Sequence, residues 1–490
     1  MTTPVVLTPP AKIKPLQHGA YFRTNALGEG SFGSVMVVYN EDGEEFAAKR
    51  FEESDEGDID SAVLREIAML RLLSQIRDYP REIIPCLDIT TIEEGGLCMI
   101  MPKFKSDLYH LIENKQLTKQ KDSLSIMYYS LLALKFLHDL GIMHRDLKSD
   151  NIMVYDEEVA GAGAAPTTAS SGNGNKTPAT SSSKPTTMLK PVLIDFSLCK
   201  FFGKDPVFSD HKEDKNVRKS KKSASQKRKE KHEKKQNKNA EGNKQKLTAE
   251  VGTSTYIAPE VVQGRQDYDE RADMWSMGVI FSEILQKKTI QAERDRDAFK
   301  ELAEFKQKLK PGTPFTTLMS GLLEEKMENR FRCSDAIEIL KPLLVQAKII
   351  SQENAAAEGE AASVDKDNSK PEFLSAPTAI KQCSLESRNL CKQWTEIIEF
   401  GSKTRDTAEA FCGQLEALDG ENGFKWNSKW DALYCVLMAG KLWELELIDI
   451  WELDDEWADE FKKFDPNLFI ERELELGKLL DWNFYWKRMK

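Results

Sequence analysis

The sequence predicts an α+β unit, strand-rich at its start and helical over most of its length, joined to an all-α block at the C-terminus. Three observations lead there. Strand-like alternation begins near Gly19 and gives way to amphipathic helical periods after Asp60. Apolar periodicity then stops at two low-complexity stretches and resumes after each. The last block, Ser384 to Lys490, is aromatic, acidic and helical in period. With 490 residues, 40% of them hydrophobic, the chain has room for two or three cores.

Taken in order, residues 1–18 read as a tail and residues 19–345 as the first globular unit. Two inserts interrupt that unit. Residues 156–187 are Ala, Gly, Ser, Thr and Pro, too polar and small to offset their chain entropy. After the apolar strand MLKPVLIDF comes a Lys-rich run over 204–246, in which like charges repel and extend the chain. Residues 346–383 read as a linker and 384–490 as a helical domain.

The net charge of -11 argues against nucleic acid as the main partner, although the signs are segregated along the chain. The 8 cysteines stand singly, with no CxxC, as reduced thiols do. There is no leader-like start and no apolar run of about 18 residues. The expectation is a soluble protein of the nucleus or cytoplasm with no membrane partner.

The chemistry begins at LGEGSFGSV, residues 27–35, where glycines 28, 30 and 33 let a hairpin backbone approach a polyphosphate. AAKR places Lys49 in the following strand. DSAVLREIAMLRLL starts a helix capped by Asp60 or Ser61, with Glu66 on its polar face. A buried lysine needs a counter-charge, so a Lys49–Glu66 pair is expected. HRDLKSDN, residues 144–151, and VLIDF, which delivers Asp195 from a strand end, complete the set.

Glycine loop, strand lysine, helix glutamate, HRDxKxxN and Asp-Phe, in this order, resemble the eukaryotic protein kinases, and Lys148 is the serine/threonine form of the motif. YIAPE, DMWSMG and ENRFRCSDAI extend the resemblance and suggest a buried Glu260–Arg330 pair. It implies a bilobal α+β protein kinase fold, a small β-rich N-lobe and a helical C-lobe, acting on protein substrates with ATP and Mg2+. Leu27, Gly28, Gly30, Gly33, Val35, Ala47, Lys49, Glu66, Met101 and Lys103 would form the ATP site. Asp146, Lys148, Asn151 and Thr253 would be catalytic, and Asn151 and Asp195 would bind the metal. The family's Asp-Phe-Gly is Asp195-Phe196-Ser197 here, which leaves the ligand and changes the backbone freedom behind it.

SAVLREI resembles the corresponding helix of the cyclin-dependent kinases. That likeness implies a phosphorylated Thr248 gripped by Arg65, Arg145 and Lys200, with lysine standing where the family has a third arginine. Phe32 replaces the family's inhibitory tyrosine, and Thr255 and Ile257 replace residues linked to proline selection. In the last block, AGKLWE resembles the third helix of a cyclin box, SRNLCKQW the first and RELELGKLLDWNF the fifth. Lys441 and Glu473 would then contact the segment Gly57–Ile59 entering the Glu66 helix, while Arg388 would pair with Glu416. The module would act within its own chain or by exchange between two chains.

The alternatives are a Ser/Thr kinase of another type whose C-terminal domain binds an external partner, and a pseudokinase scaffold. An external cyclin would be a further candidate partner for the kinase unit. The basic insert would recruit an acidic partner, signal nuclear import or solvate a long loop.

Overall fold

The computed structural model describes residues 21–30, 33–51, 59–77, 79–91, 97–159, 186–202, 254–265, 267–292, 295–352, 382–397, 402–420, 425–443, 475–477 and 479–480. The first sheet is antiparallel, in the order β1 (Phe22–Gly30), β2 (Gly33–Tyr39), β3 (Glu45–Phe51), β5 (Leu97–Pro102), β4 (Asp88–Thr91). Its β2–β3 turn is set locally: Asn40 Oδ1 accepts from the N–H groups of Asp42 and Glu44, and Gly43 takes φ 78°. Met36, Val38, Ala48, Cys98 and Ile100 form a small core on one face. On the other face lies α1 (Ser61–Ser74), capped by Asp60, whose carboxylate accepts from Ala62 N–H at 2.6 Å.

The helical lobe contains α2 (Leu108–Glu113), α3 (Gln120–Asp139), α4 (Pro259–Val262), α5 (Arg271–Gln286), α6 (Asp295–Lys308), α7 (Pro314–Leu322) and α8 (Cys333–Gln346). A second sheet has the order β6 (Ser106–Asp107), β8 (Ile152–Val159), β9 (Thr186–Leu193), and β7 (Ile142–Met143) pairs with β10 (Lys200–Phe201). The β8–β9 ladder corrects the first insert boundary: it continues through Asp156↔Leu189 to Val159↔Thr186, inside the stretch 156–187 expected to be unstructured. Ion pairs from Lys190 to Glu157 at 3.3 Å and Lys105 to Asp156 at 3.2 Å favour the polar end of this ladder. The expected Glu260–Arg330 pair is present and bidentate, at 2.7 and 2.9 Å, with both side chains buried.

Three further helices follow, α9 (Leu385–Ile397), α10 (Ser402–Glu416) and α11 (Ser428–Trp443). Every residue of α11 from Asp431 to Leu442 is buried. A helix buried all round has to be covered all round, and α9, α10 and α1 all pack against α11. This packing overturns the expected polar face of α1, since only Ser61 and Arg65 of its residues escape burial. The Arg388–Glu416 pair is also replaced. Glu416 instead accepts from the Ser384 N–H and hydroxyl at 2.7 and 2.8 Å and from the Ser387 hydroxyl. All eight cysteines are buried free thiols. Among the described residues no helix is long and apolar enough to cross a membrane.

Candidate active site

The cleft lies where β1–β3, α1 and the start of the second lobe meet. Gly28 pairs with Val35 and Gly30 with Gly33 across the β1–β2 hairpin, with a register shift between Ala26 and Gly28 that brackets Leu27. Strand pairing then lines up Val35 with Lys49 and Ala47 with Met101, so these predicted ATP-site residues share one neighbourhood of the sheet. Lys103 lies just beyond β5, its ammonium 2.6 Å from Glu45.

Lys49 Nζ donates to both oxygens of Glu66, at 3.0 and 2.8 Å, and lies 3.6 Å from Asp195 Oδ1. Glu66 is only 1% exposed. Burial works against the charge on Lys49, but the Glu66 and Asp195 carboxylates outweigh it and raise the lysine above its ordinary pKa. Lys49 therefore stays a cation in the cleft.

The second charged group comes from the turn after β7. Asp146 accepts from Lys148 Nζ at 3.1 Å, and Asn151 Nδ2 donates to both the carbonyl and the Oδ2 of Asp146, at 2.8 Å each. Asn151 and Asp195 stand at the base of the same β8–β9 hairpin, clamped by Ile194 N–H on the Asn151 carbonyl at 3.0 Å. Burial disfavours the Asp195 charge, yet Lys49, the Ser197 hydroxyl and His144 hold its pKa below the usual carboxylate value. Because the Asn151 amide nitrogen is committed to Asp146, its oxygen is the group left to accept a cation. An amide oxygen and an ionised carboxylate suit Mg2+, which prefers hard oxygen ligands and few of them from protein.

Several organising residues were not picked out from the sequence. Asp273, near the start of α5, accepts the backbone N–H groups of His144 and Arg145 at 2.8 Å each and meets His138 Nε2 at 3.0 Å. This carboxylate anchors the turn that carries Asp146, where Arg145 sits at φ 67°. The Ser149 hydroxyl meets Tyr256 OH at 2.9 Å, and Tyr256 donates onward to Glu283 at 2.9 Å. Burial lifts Glu283 to a pKa of about 7. An acid two residues before Trp275, at the head of DMWSMG, is the available signal for Asp273.

At the far side of α1, Lys441 Nζ donates to the Ile59 carbonyl at 2.7 Å, and Arg65 Nη1 donates to the Lys441 carbonyl at 3.4 Å. Lys441 is 3% exposed. Arg145 directs Nε to the Leu198 carbonyl at 2.6 Å and Nη1 to Tyr268 OH at 3.4 Å, while Lys200 is exposed on β10. Thr248, Thr253 and Glu473 lie outside the described residues.

The chain belongs to the protein kinase domain family, whose model matches residues 21–169 and 236–340, just over half of its length. It is similar to the serine/threonine-protein kinase KIPK1 of Arabidopsis thaliana, 25% identical over 332 residues that cover 64% of this chain and 34% of that protein. It is also similar to a probable CTD kinase subunit alpha homolog of Encephalitozoon cuniculi, 29% identical over 134 residues, 27% of this chain and 38% of that one. The chain thus spans a little over a third of the length of these relatives. Among solved structures it is similar to a chain of the CAK complex of Chaetomium thermophilum bound to ATP-γ-S, with 16% identity and a TM-score of 0.42, covering 65% of this chain and 89% of the other.

Proposed function

We propose that the protein is an ATP-dependent Ser/Thr protein kinase of the cyclin-dependent type, kept in its working arrangement by its own C-terminal helical module. The observation that carries this reading is the closed Lys49–Glu66 pair on a helix whose entry and first turns are held by α11, through Lys441 on the Ile59 carbonyl and Arg65 on the Lys441 carbonyl. Bound magnesium-ATP supplies the phosphoryl group and the cation that offsets its charge. Lys49, fixed by Glu66, would grip the nucleotide phosphates. Asp146 would orient the substrate hydroxyl and take its proton, Lys148 would add positive charge beside the transfer, and Asn151, which holds Asp146 in place, would join Asp195 in holding the metal. Phosphorylation of Thr248 would recruit Arg65, so one side chain would answer to both the module and the loop.

The test is phosphate transfer by the full chain and by a chain ending at residue 383, with the 384–490 fragment added back. The expected result is a fall on truncation and recovery on addition. Unchanged turnover in the truncated chain would sink the self-activation, and no transfer by any form would leave a scaffold.

A further inference from the structure

We infer that Ser197 is a positioning residue that presets Asp195 for its metal ion; the inference rests on the kinase reading above. The family pattern has glycine at this place, and the serine side chain is only 1% exposed. Its hydroxyl donates to Asp195 Oδ1 at 2.6 Å and its backbone N–H approaches the same oxygen at 3.4 Å. The Lys49 ammonium lies 3.6 Å from that oxygen as well. Two hydrogen bonds and the Lys49 ammonium therefore converge on Oδ1, and among the described residues no hydrogen bond falls on Oδ2. Rotating the carboxylate would break all three contacts, so Oδ2 is held as the free face.

The backbone agrees with this role. Asp195 takes φ 64°, whereas Ser197 stays out of the left-handed region, where its Cβ would be disfavoured. Between them, Phe196 is fully buried with its ring 5.0 Å from that of His144. A glycine would supply the N–H alone and would leave alternative backbone arrangements open. The serine adds a charge-assisted bond and removes those alternatives. Residues that orient a metal ligand in this way affect metal affinity even though they never touch the ion.

The experiment uses the full chain and its Ser197→Ala and Ser197→Gly variants, with Mn2+ as the probe metal followed by electron paramagnetic resonance of the free ion in the presence of ADP. ADP binding without metal serves as the control. Both variants should keep metal-free ADP affinity within about twofold and lose on the order of tenfold in Mn2+ affinity. Amide exchange over Phe196–Cys199 in metal-free protein should quicken, more in Ser197→Gly than in Ser197→Ala. Mn2+ affinities equal to the parent's in both variants would overturn the role, as would an equal loss of metal-free ADP binding, which marks general damage. A parent chain that binds neither ADP nor Mn2+ would overturn the kinase reading, and this inference with it.

Discussion

The turn His144–Asn151 and helix α1 both bring charged groups into one cleft, yet they are held from different parts of the chain. The turn hangs from Asp273, on α5 of the same lobe, through two backbone N–H groups. Helix α1 is met on its outer face by α11, whose Lys441 stands 382 residues beyond its acceptor Ile59. Asp146 is thus fixed by the core of the kinase unit, whereas the placement of Glu66 is shared with a module that lies outside the matched family region. A catalytic group fixed from within is always present; one fixed from outside can be supplied or withheld.

The strongest way to sharpen this contrast is Asp146→Asn. It should cut phosphate transfer by about 10²- to 10⁴-fold while leaving hydrogen exchange over α1 unchanged. Asp273→Ala should come next. Removing the acceptor of two backbone N–H groups and a buried imidazole should destabilise the kinase unit by about 3–5 kcal/mol, read as a lower thermal midpoint. Lys441→Met should weigh chiefly on activity: losing a charged hydrogen bond worth about 1.5–3 kcal/mol between α11 and the entry to α1 should cut transfer by roughly ten- to a hundredfold, while the midpoint of the kinase unit falls by less than in Asp273→Ala. If Lys441→Met cost stability and spared activity, the two regions would not differ in the way described.

The smallest effect concerns pH. Burial opposes the charge on His138, but the Cys333 sulfur and the Asp273 carboxylate outweigh it and raise its pKa to about 10. A raised value means that the stabilisation is complete below the unfolded value of about 6.5 and is lost as pH rises through the folded one. The gap in thermal midpoint between parent and His138→Gln should therefore be widest near pH 6 and shrink above pH 10, by a few degrees at most. A gap that widened with pH would mean that His138 is neutral beside Asp273.

The residues that were legible in the sequence are those whose partners are implied by motif order. Lys49 with Glu66, Glu260 with Arg330, and Lys441 near Ile59 could all be anticipated from which segments had to meet. What escaped depended on three-dimensional cover. Glu66 reads as a polar-face residue because neither Lys49, which meets it from the sheet, nor α11, which covers α1 elsewhere, is near it in the chain. The outer β8–β9 pairs look like insert in the sequence because Asp156, Glu157 and Thr187 have loop-like composition, and only the ion pairs to Lys190 and Lys105 reveal why they hold. Ser197 stood out as a departure, but its bond to Asp195 needed the positive φ at Asp195 to become visible.

That same hairpin has a practical consequence. Asn151 and Asp195 sit at its base, and the open end at Val159 and Thr186 is seven residue steps along β8 from Ile152, roughly 23 Å at strand rise. Because closing a loop costs little more as it lengthens, a fluorescent protein or degradation tag spliced between those two residues should be carried as silent cargo. The position between Val159 and Thr186 is therefore a natural handle for tracking or depleting this protein in cells while the cleft at the base of the hairpin is left undisturbed.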